Sequence, residues 1–291
     1  MTPPSHPLEA TAGGRGRLRS ARLALLPLVL VLAACSIGAE HGRSGGTPAG
    51  DTSAAGSSSA QGTISPELQA TLEAGAALTA IGDSVPAGTA CGCTPYPQLT
   101  GAELEHVGGH DVTAWNDAVA GYTSTDVLHQ VTDDRTVIDH LRRSQVFLIE
   151  VGANDVGYNS TCGTTLSCYE TKLPQITNDL RAIDQRVHEL TNGHRIDVVF
   201  LDYWSVWLGG QYAAAQGPAY VETAEALTAD VDDLIRVEAN ASGSLYVDLR
   251  TAFRGPDHSA DETHLLAPDG DHPNAAGHER IADAVEAALA G

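Results

Sequence analysis

Beyond about residue 64, apolar residues gather into short unbroken runs, separated by longer stretches in which apolar and polar positions follow helical spacing. The first run, Leu78-Thr79-Ala80-Ile81, stops on Gly82-Asp83-Ser84. Further runs span Val112 to Asn116, Gln145 to Val151, Ile196 to Leu201 and Leu245 to Leu249. Continuous apolar runs bounded by Gly or polar residues suit strands buried on both faces, the environment of a parallel sheet. A short helix is expected within Ser84 to Gly92, and an amphipathic one up to about Val107. Thr123-Ser124-Thr125-Asp126 offers N-cap chemistry ahead of Val127, Leu128 and Val131, and Asp133 to Arg143 continues that helical layer. Helices are also predicted from about Tyr169 to Leu190, closed by Asn192-Gly193, and from Ala219 to Ala239. Pro273, read as a first helical residue, opens the last one, which carries Ile281, Ala282, Val285 and Ala288. Strand and helix alternate throughout, so the prediction is a three-layer α/β/α fold with a parallel sheet of about five strands.

The pattern ahead of residue 64 is different. Arg15, Arg17, Arg19 and Arg22 precede an apolar run from Leu23 to Ala34, too short for a comfortable membrane span and suited to a secretory signal. Leu32-Ala33-Ala34-Cys35 resembles a bacterial lipobox, in which the signal is cleaved ahead of a cysteine that becomes lipid-modified. The expectation is a signal peptide over 1–34, export, and a lipid anchor on Cys35 at the outer face of the bacterial cytoplasmic membrane. Residues 35–64 are rich in Gly, Ser, Ala and Thr with few large apolar side chains, so they cannot bury enough surface to offset their ordering entropy. They read as a tether, and 65–291 as one domain. Gly42-Arg43-Ser44-Gly45-Gly46 fits a Gly-x-Ser-x-Gly elbow by its letters but lacks the strand and helix that an elbow needs.

Composition narrows the partners. With 16 basic and 37 acidic residues the formal net charge is −21. The predicted signal removes more positive charge than negative, so the exported part is more acidic still. Such a surface repels nucleic acid.

Four polar elements fall at carboxyl ends of predicted strands or in the last loop: Ser84, Gly121, Asn154 and Asp269-Gly270-Asp271-His272-Pro273-Asn274. An open α/β sheet places its site there. Acyl transfer needs a nucleophilic hydroxyl, a base, a group that orients the base, and donors for the developing oxyanion. Ser84 supplies the hydroxyl and His272 the base. Asp269 can reach the second ring nitrogen through a turn eased by Gly270, whereas Asp271, the immediate neighbour, is expected to point away. The N–H groups of Ser84 and Gly121 and the side-chain amide of Asn154 are the oxyanion donors. A metal site drawn from His258, His264, Asp269, Asp271, His272 and His278 is an alternative, but it leaves the Ser84 and Asn154 blocks without a role. His278 reads as a surface or packing residue of the last helix, and Trp204 and Trp207 as core or pocket wall.

Taken in order, Gly82-Asp83-Ser84, Gly121, Gly152-x-Asn154-Asp155 and Asp269-x-x-His272-Pro273-Asn274 resemble the four blocks of the SGNH (GDSL-type) hydrolase family, over roughly residues 76 to 291. Val85 stands where the family usually has Leu. The resemblance implies a flavodoxin-like sheet in the order 2-1-3-4-5, and a serine esterase or lipase that hydrolyses carboxylic esters through a Ser-His-Asp acyl-enzyme, with no cofactor and no metal. The expected partners are a small-molecule, lipid or carbohydrate ester as substrate and the membrane through the lipid anchor, with the protein acting as a monomer. A carbohydrate O-acyltransferase or deacetylase of the same fold and a non-catalytic binding lipoprotein are the alternatives.

Apart from Cys35, four cysteines remain: Cys91, Cys93, Cys162 and Cys168. An even number in an exported chain predicts two disulfides, and three pairings are open. Cys162 with Cys168 would close a short loop. Cys91 with Cys93 would close a strained ring that cross-pairing between the clusters avoids. Zinc is the runner-up, disfavoured outside the cell. Both clusters follow site blocks, so the bridges are expected to stiffen the site's rim.

Overall fold

Strands β1 (Ala76–Gly82), β2 (Val112–Asn116), β3 (Val146–Glu150), β4 (Asp197–Leu201) and β5 (Leu245–Val247) lie parallel in one sheet, in the order β2-β1-β3-β4-β5. This is the order expected. The computed structural model describes residues 64–72 and 75–291. The predicted signal, Cys35 and nearly all of the tether lie outside the described residues.

The chain connects these strands through α1 (Pro66–Thr71), α2 (Tyr96–Gly108), α3 (Ser124–Asp133), α4 (Arg135–Leu141), α5 (Leu166–Glu170), α6 (Leu173–Thr191), α7 (Gly210–Ala214), α8 (Pro218–Ser242), α9 (Leu249–Arg254) and α10 (Ala275–Ala290). Helix α10 packs against α2 and α9, while α6 packs between α3 and α8. All seven residues of β1 and all five of β3 are buried, whereas β2, at the edge, is half exposed. Full burial of a Leu or Ile side chain contributes roughly 1.5–3 kcal/mol, which holds the two central strands in register. Thr79, the polar exception in β1, meets Ser144 Oγ at 2.7 Å.

Several boundaries differ from the sequence expectation, each for a local reason. Ser84 to Gly92 folds as successive turns instead of a helix, because Gly88, Ala90 and Gly92 all take positive φ. The single helix expected from Tyr169 is two, α5 and α6, with Pro174 in the first turn of the second. β5 ends at Val247, and Asp248 then caps α9 by accepting the Thr251 N–H at 2.6 Å. Pro273 is not the first helical residue. It bridges back to Leu266, and Asn274 is the N-cap of α10, accepting the Gly277 N–H at 3.1 Å.

Candidate active site

The carboxyl end of β1 turns through Gly82, at φ 141°, where a Cβ would lie 2.0 Å from the Glu150 carbonyl oxygen of β3. Only glycine permits that approach. The Asp83 N–H then donates to the same carbonyl at 3.1 Å. The fully buried Asp83 side chain accepts from the Val85 N–H at 3.1 Å and from the Tyr203 hydroxyl at 2.7 Å, fixing the turn beneath Ser84. Burial pushes the Asp83 carboxyl up to about 6, against the pull of those two donors. Glu150, buried beside it, is held well above the usual carboxylate range by burial and by Asp83.

Asn154 leaves β3 on a short 3₁₀ turn, Ala153–Val156, and its Nδ2 donates to the Tyr122 carbonyl at 3.0 Å. One amide hydrogen stays uncommitted by that bond. Asp155 secures the turn from below by accepting the Ser124 N–H at 2.9 Å and the Ser124 hydroxyl at 2.8 Å, at the start of α3. Burial raises the Asp155 carboxyl, against the pull of the two Ser124 donors.

His272 lies on the loop ahead of α10. Its Nδ1 is 2.8 Å from Asp269 Oδ2, and Asp269 Oδ1 accepts the N–H groups of Asp271 and His272 at 3.1 and 3.2 Å. Partial burial raises the Asp269 carboxyl, but these hydrogen bonds outweigh it and hold the group below its ordinary value. Gly270 permits the turn: at φ 76°, a Cβ there would lie 2.3 Å from Tyr212 Cγ. Asn274 Nδ2 donates to the carbonyls of His264 at 2.9 Å and Leu266 at 3.0 Å, tying the loop to the chain ahead of it.

Asp271 departs from expectation. Its carboxylate does not point away from the imidazole, but lies 4.0 Å from His272 Nε2, too far for a hydrogen bond. It is half exposed to water yet crowded on its inner side, and that burial raises its carboxyl.

Ser84, Asn154, Asp271 and His272 line one cavity of about 350 Å³. Asp269 stands behind His272, outside the lining, as an orienting group would. Gly121, exposed and at φ 88°, is not part of the lining either. It sits one residue before Tyr122, the anchor of Asn154. The N–H groups of Ser84 and Gly121 have no hydrogen-bond partner among the described residues.

Trp204 and Trp207, left between core and pocket by the sequence, are both: each is buried and each lines the cavity. Sequence reasoning missed Tyr158 and Tyr220, which complete the wall. Tyr158 lies 5.2 Å from Trp207 and 5.4 Å from Tyr220, centroid to centroid, and half of it is exposed. It missed the Tyr203 brace as well, although Asp202-Tyr203-Trp204 directly follows β4, at the end of the sheet where the site lies. Of the histidines weighed as metal ligands, His258 approaches Thr251 and His264 the Asp261 carbonyl, while His278 is buried against Tyr96. The cysteines pair within each cluster, Cys91 with Cys93 and Cys162 with Cys168, and cross-pairing is not found. Their Cα atoms are 5.1 and 5.8 Å apart, within ordinary disulfide reach.

A family model described as "GDSL-like Lipase/Acylhydrolase family" matches residues 80–280. Among solved structures, a lipase from a goat rumen metagenome is similar with a TM-score of 0.56 at 17% identity, over 74% of this chain and 98% of that one. A variant of an acetyl-xylooligosaccharide esterase from Geobacillus gives a TM-score of 0.54 at 19% identity, over 76% of this chain and 96% of that one. An alpha/beta hydrolase from the metagenome of Lake Arreo, Spain, gives 0.51 at 21% identity, over 74% and 95%. At these identities the likeness shows the shared fold. No curated protein matches the chain.

Proposed function

The chain belongs to the GDSL-like Lipase/Acylhydrolase family, and from that premise we propose that it hydrolyses carboxylic esters through an acyl-enzyme on Ser84, with His272 as base and Asp269 as its orienting partner. The observation that carries this reading is that Ser84 and His272 line one cavity while Asp269 holds the far side of the imidazole at 2.8 Å. With Nδ1–H donated to Asp269, Nε2 keeps its lone pair for the Ser84 proton. Ser84 Oγ attacks the ester carbonyl as Nε2 takes that proton. The oxyanion is met by the N–H groups of Ser84 and Gly121 and by the free Asn154 amide hydrogen. Collapse of the intermediate returns the proton to the departing alcohol and leaves an acyl group on Ser84. Water, deprotonated by His272, then releases the acid.

The exposed Tyr158 ring beside Trp207 and Tyr220 supports a second reading, in which the alcohol is a sugar hydroxyl and the protein is a carbohydrate deacetylase or O-acyltransferase, since aromatic rings offer a flat apolar platform with polar edges. The test is a panel of acyl esters of increasing chain length, assayed with and without acceptor sugars against Ser84→Ala. Hydrolysis dependent on Ser84 is expected; transfer to sugar exceeding hydrolysis would favour the second reading, and turnover by pure Ser84→Ala would overturn both. The lipobox-like run supports placement at the outer face of the membrane through Cys35. Detergent-phase partitioning lost in Cys35→Ser is the expected result there.

A further inference from the structure

Two carboxyls line the cavity that holds Ser84 and His272, and they differ in how they are satisfied. Asp83 accepts from the Val85 N–H and the Tyr203 hydroxyl. Asp271 joins the hydrogen bonding of its loop through its N–H, which donates to Asp269 at 3.1 Å, and no donor among the described residues bonds its carboxylate. Among the described residues, the one basic group that comes within 4.0 Å of that carboxylate is His272 Nε2. No Lys or Arg among them lines the cavity. Burial raises the Asp271 carboxyl, the Asp269 charge adds to that, and the His272 ring alone opposes them. The cavity thus holds a crowded carboxyl to which the chain brings no Lys or Arg.

The distance to Nε2 decides which part of a substrate Asp271 would meet. Nε2 is the atom that returns the proton to the departing alcohol, so the alcohol oxygen must come within hydrogen-bond reach of it. A group a few bonds further along that alcohol then lies within ionic reach of a carboxylate 4.0 Å from Nε2. A neutral, apolar alcohol would strip water from Asp271 and leave it without a partner, which is costly, whereas a cation would supply the missing partner. The same cavity carries the rings of Tyr158, Trp207 and Tyr220, with centroids 5.0–5.4 Å apart. Asp271 is near enough to this group for its charge to raise the Tyr220 hydroxyl. Aromatic rings attract cations as well.

We propose that the preferred substrates are esters of cationic alcohols, amino alcohols or quaternary ammonium alcohols, and that Asp271 is the specificity-determining residue that pairs with the cation beside the aromatic wall. This rests on the ester-hydrolase reading above and names the substrate class for it. The reaction is otherwise unchanged: the proton from Nε2 goes to the alcohol oxygen, and the alcohol departs with its cation. A formal charge of −21 over the chain draws such esters toward the protein and repels anionic ones.

The test compares the acetate esters of choline and of 3,3-dimethylbutanol, alcohols alike in shape and different in charge, on the whole chain at low ionic strength. The expected kcat/KM is roughly tenfold or more higher for the choline ester, with the gain in KM. A smaller preference, with the neutral ester still turned over through Ser84, would overturn this inference and leave the ester-hydrolase reading standing. Turnover of neither ester would overturn both. Asp271→Asn should cut the preference roughly fivefold or more through the KM of the choline ester, and Asp271→Glu should restore part of it. An unchanged preference in folded Asp271→Asn would remove Asp271 from the role. Should the variants fail to fold, product inhibition of the wild type decides. Choline should inhibit hydrolysis of the neutral ester competitively and about tenfold more strongly than 3,3-dimethylbutanol, and equal inhibition would overturn the proposal.

Discussion

Ser84 leaves a strand whose seven residues are all buried, whereas His272 sits on a loop whose shape depends on side-chain hydrogen bonds from Asp269 and Asn274. Ser84, the proposed nucleophile, is placed by the sheet: Gly82 lets β1 run against β3, and Asp83 locks the turn from within the core. His272, the proposed base, is placed by local polar chemistry near the surface, with half of the Asp271 side chain in water. Rigid burial fixes one half of the site and a few solvent-touched hydrogen bonds fix the other. The Ser84 side should therefore tolerate change poorly in structure, and the His272 side should lose activity before it loses fold.

The largest effect should come from Ser84→Ala. Turnover and labelling by a fluorophosphonate are expected to vanish, a loss of roughly 10⁴-fold or more, with an unchanged melting temperature because the hydroxyl faces the cavity. A folded variant that still takes the label would end the assignment. Next, Asp269→Asn should lower kcat roughly 100-fold or more with little change in KM, since in the proposed mechanism it acts on the imidazolium formed in the transition state. Asp271→Asn, at 4.0 Å from Nε2, should cost less than about tenfold by the same logic. A larger kcat loss in Asp271→Asn than in Asp269→Asn, with both folded, would reverse the two roles.

The buried side of the comparison can be broken by pH. Asp83 has a folded-state pKa of about 6 against 3.8, so the fold favours its protonated form. Its contribution to stability is fully present below about pH 4 and is lost as pH rises through about 6, a span of roughly 3 kcal/mol. Asp83→Asn should flatten that part of the stability curve between pH 4 and 8. Parallel denaturation curves for wild type and variant across this range would show that the group does not titrate as its burial implies. The smallest effect is expected from Asn274→Ala, which removes the α10 cap and both ties to the preceding chain: about 1 kcal/mol of stability and a several-fold loss of kcat. A stability loss with kcat untouched would mean the loop keeps its shape without the ties.

Much of this was legible along the chain because it rests on short-range patterns. Five apolar runs specified five strands, the small residues at their ends marked the rim of the sheet, and the three-residue spacing from Asp269 to His272 is closed by one turn, so Ser84, Asn154, Asp269 and His272 could be named from order and spacing alone. The turn conformation of 84–92 was less visible, since positive φ at Ala90 is not a preference of alanine and has to be imposed by the surroundings. Partners distant in sequence were decided only by the tertiary structure. Tyr203 meets Asp83 across 120 positions, His278 meets Tyr96 across 182, and Tyr158, on a loop, joins Trp207 of another loop and Tyr220 of α8. The side of His272 on which Asp271 lies was decided there too. A one-dimensional pattern records which residues a turn or strand can bring together; which buried polar groups then find each other depends on how whole elements pack, and no local spacing encodes that.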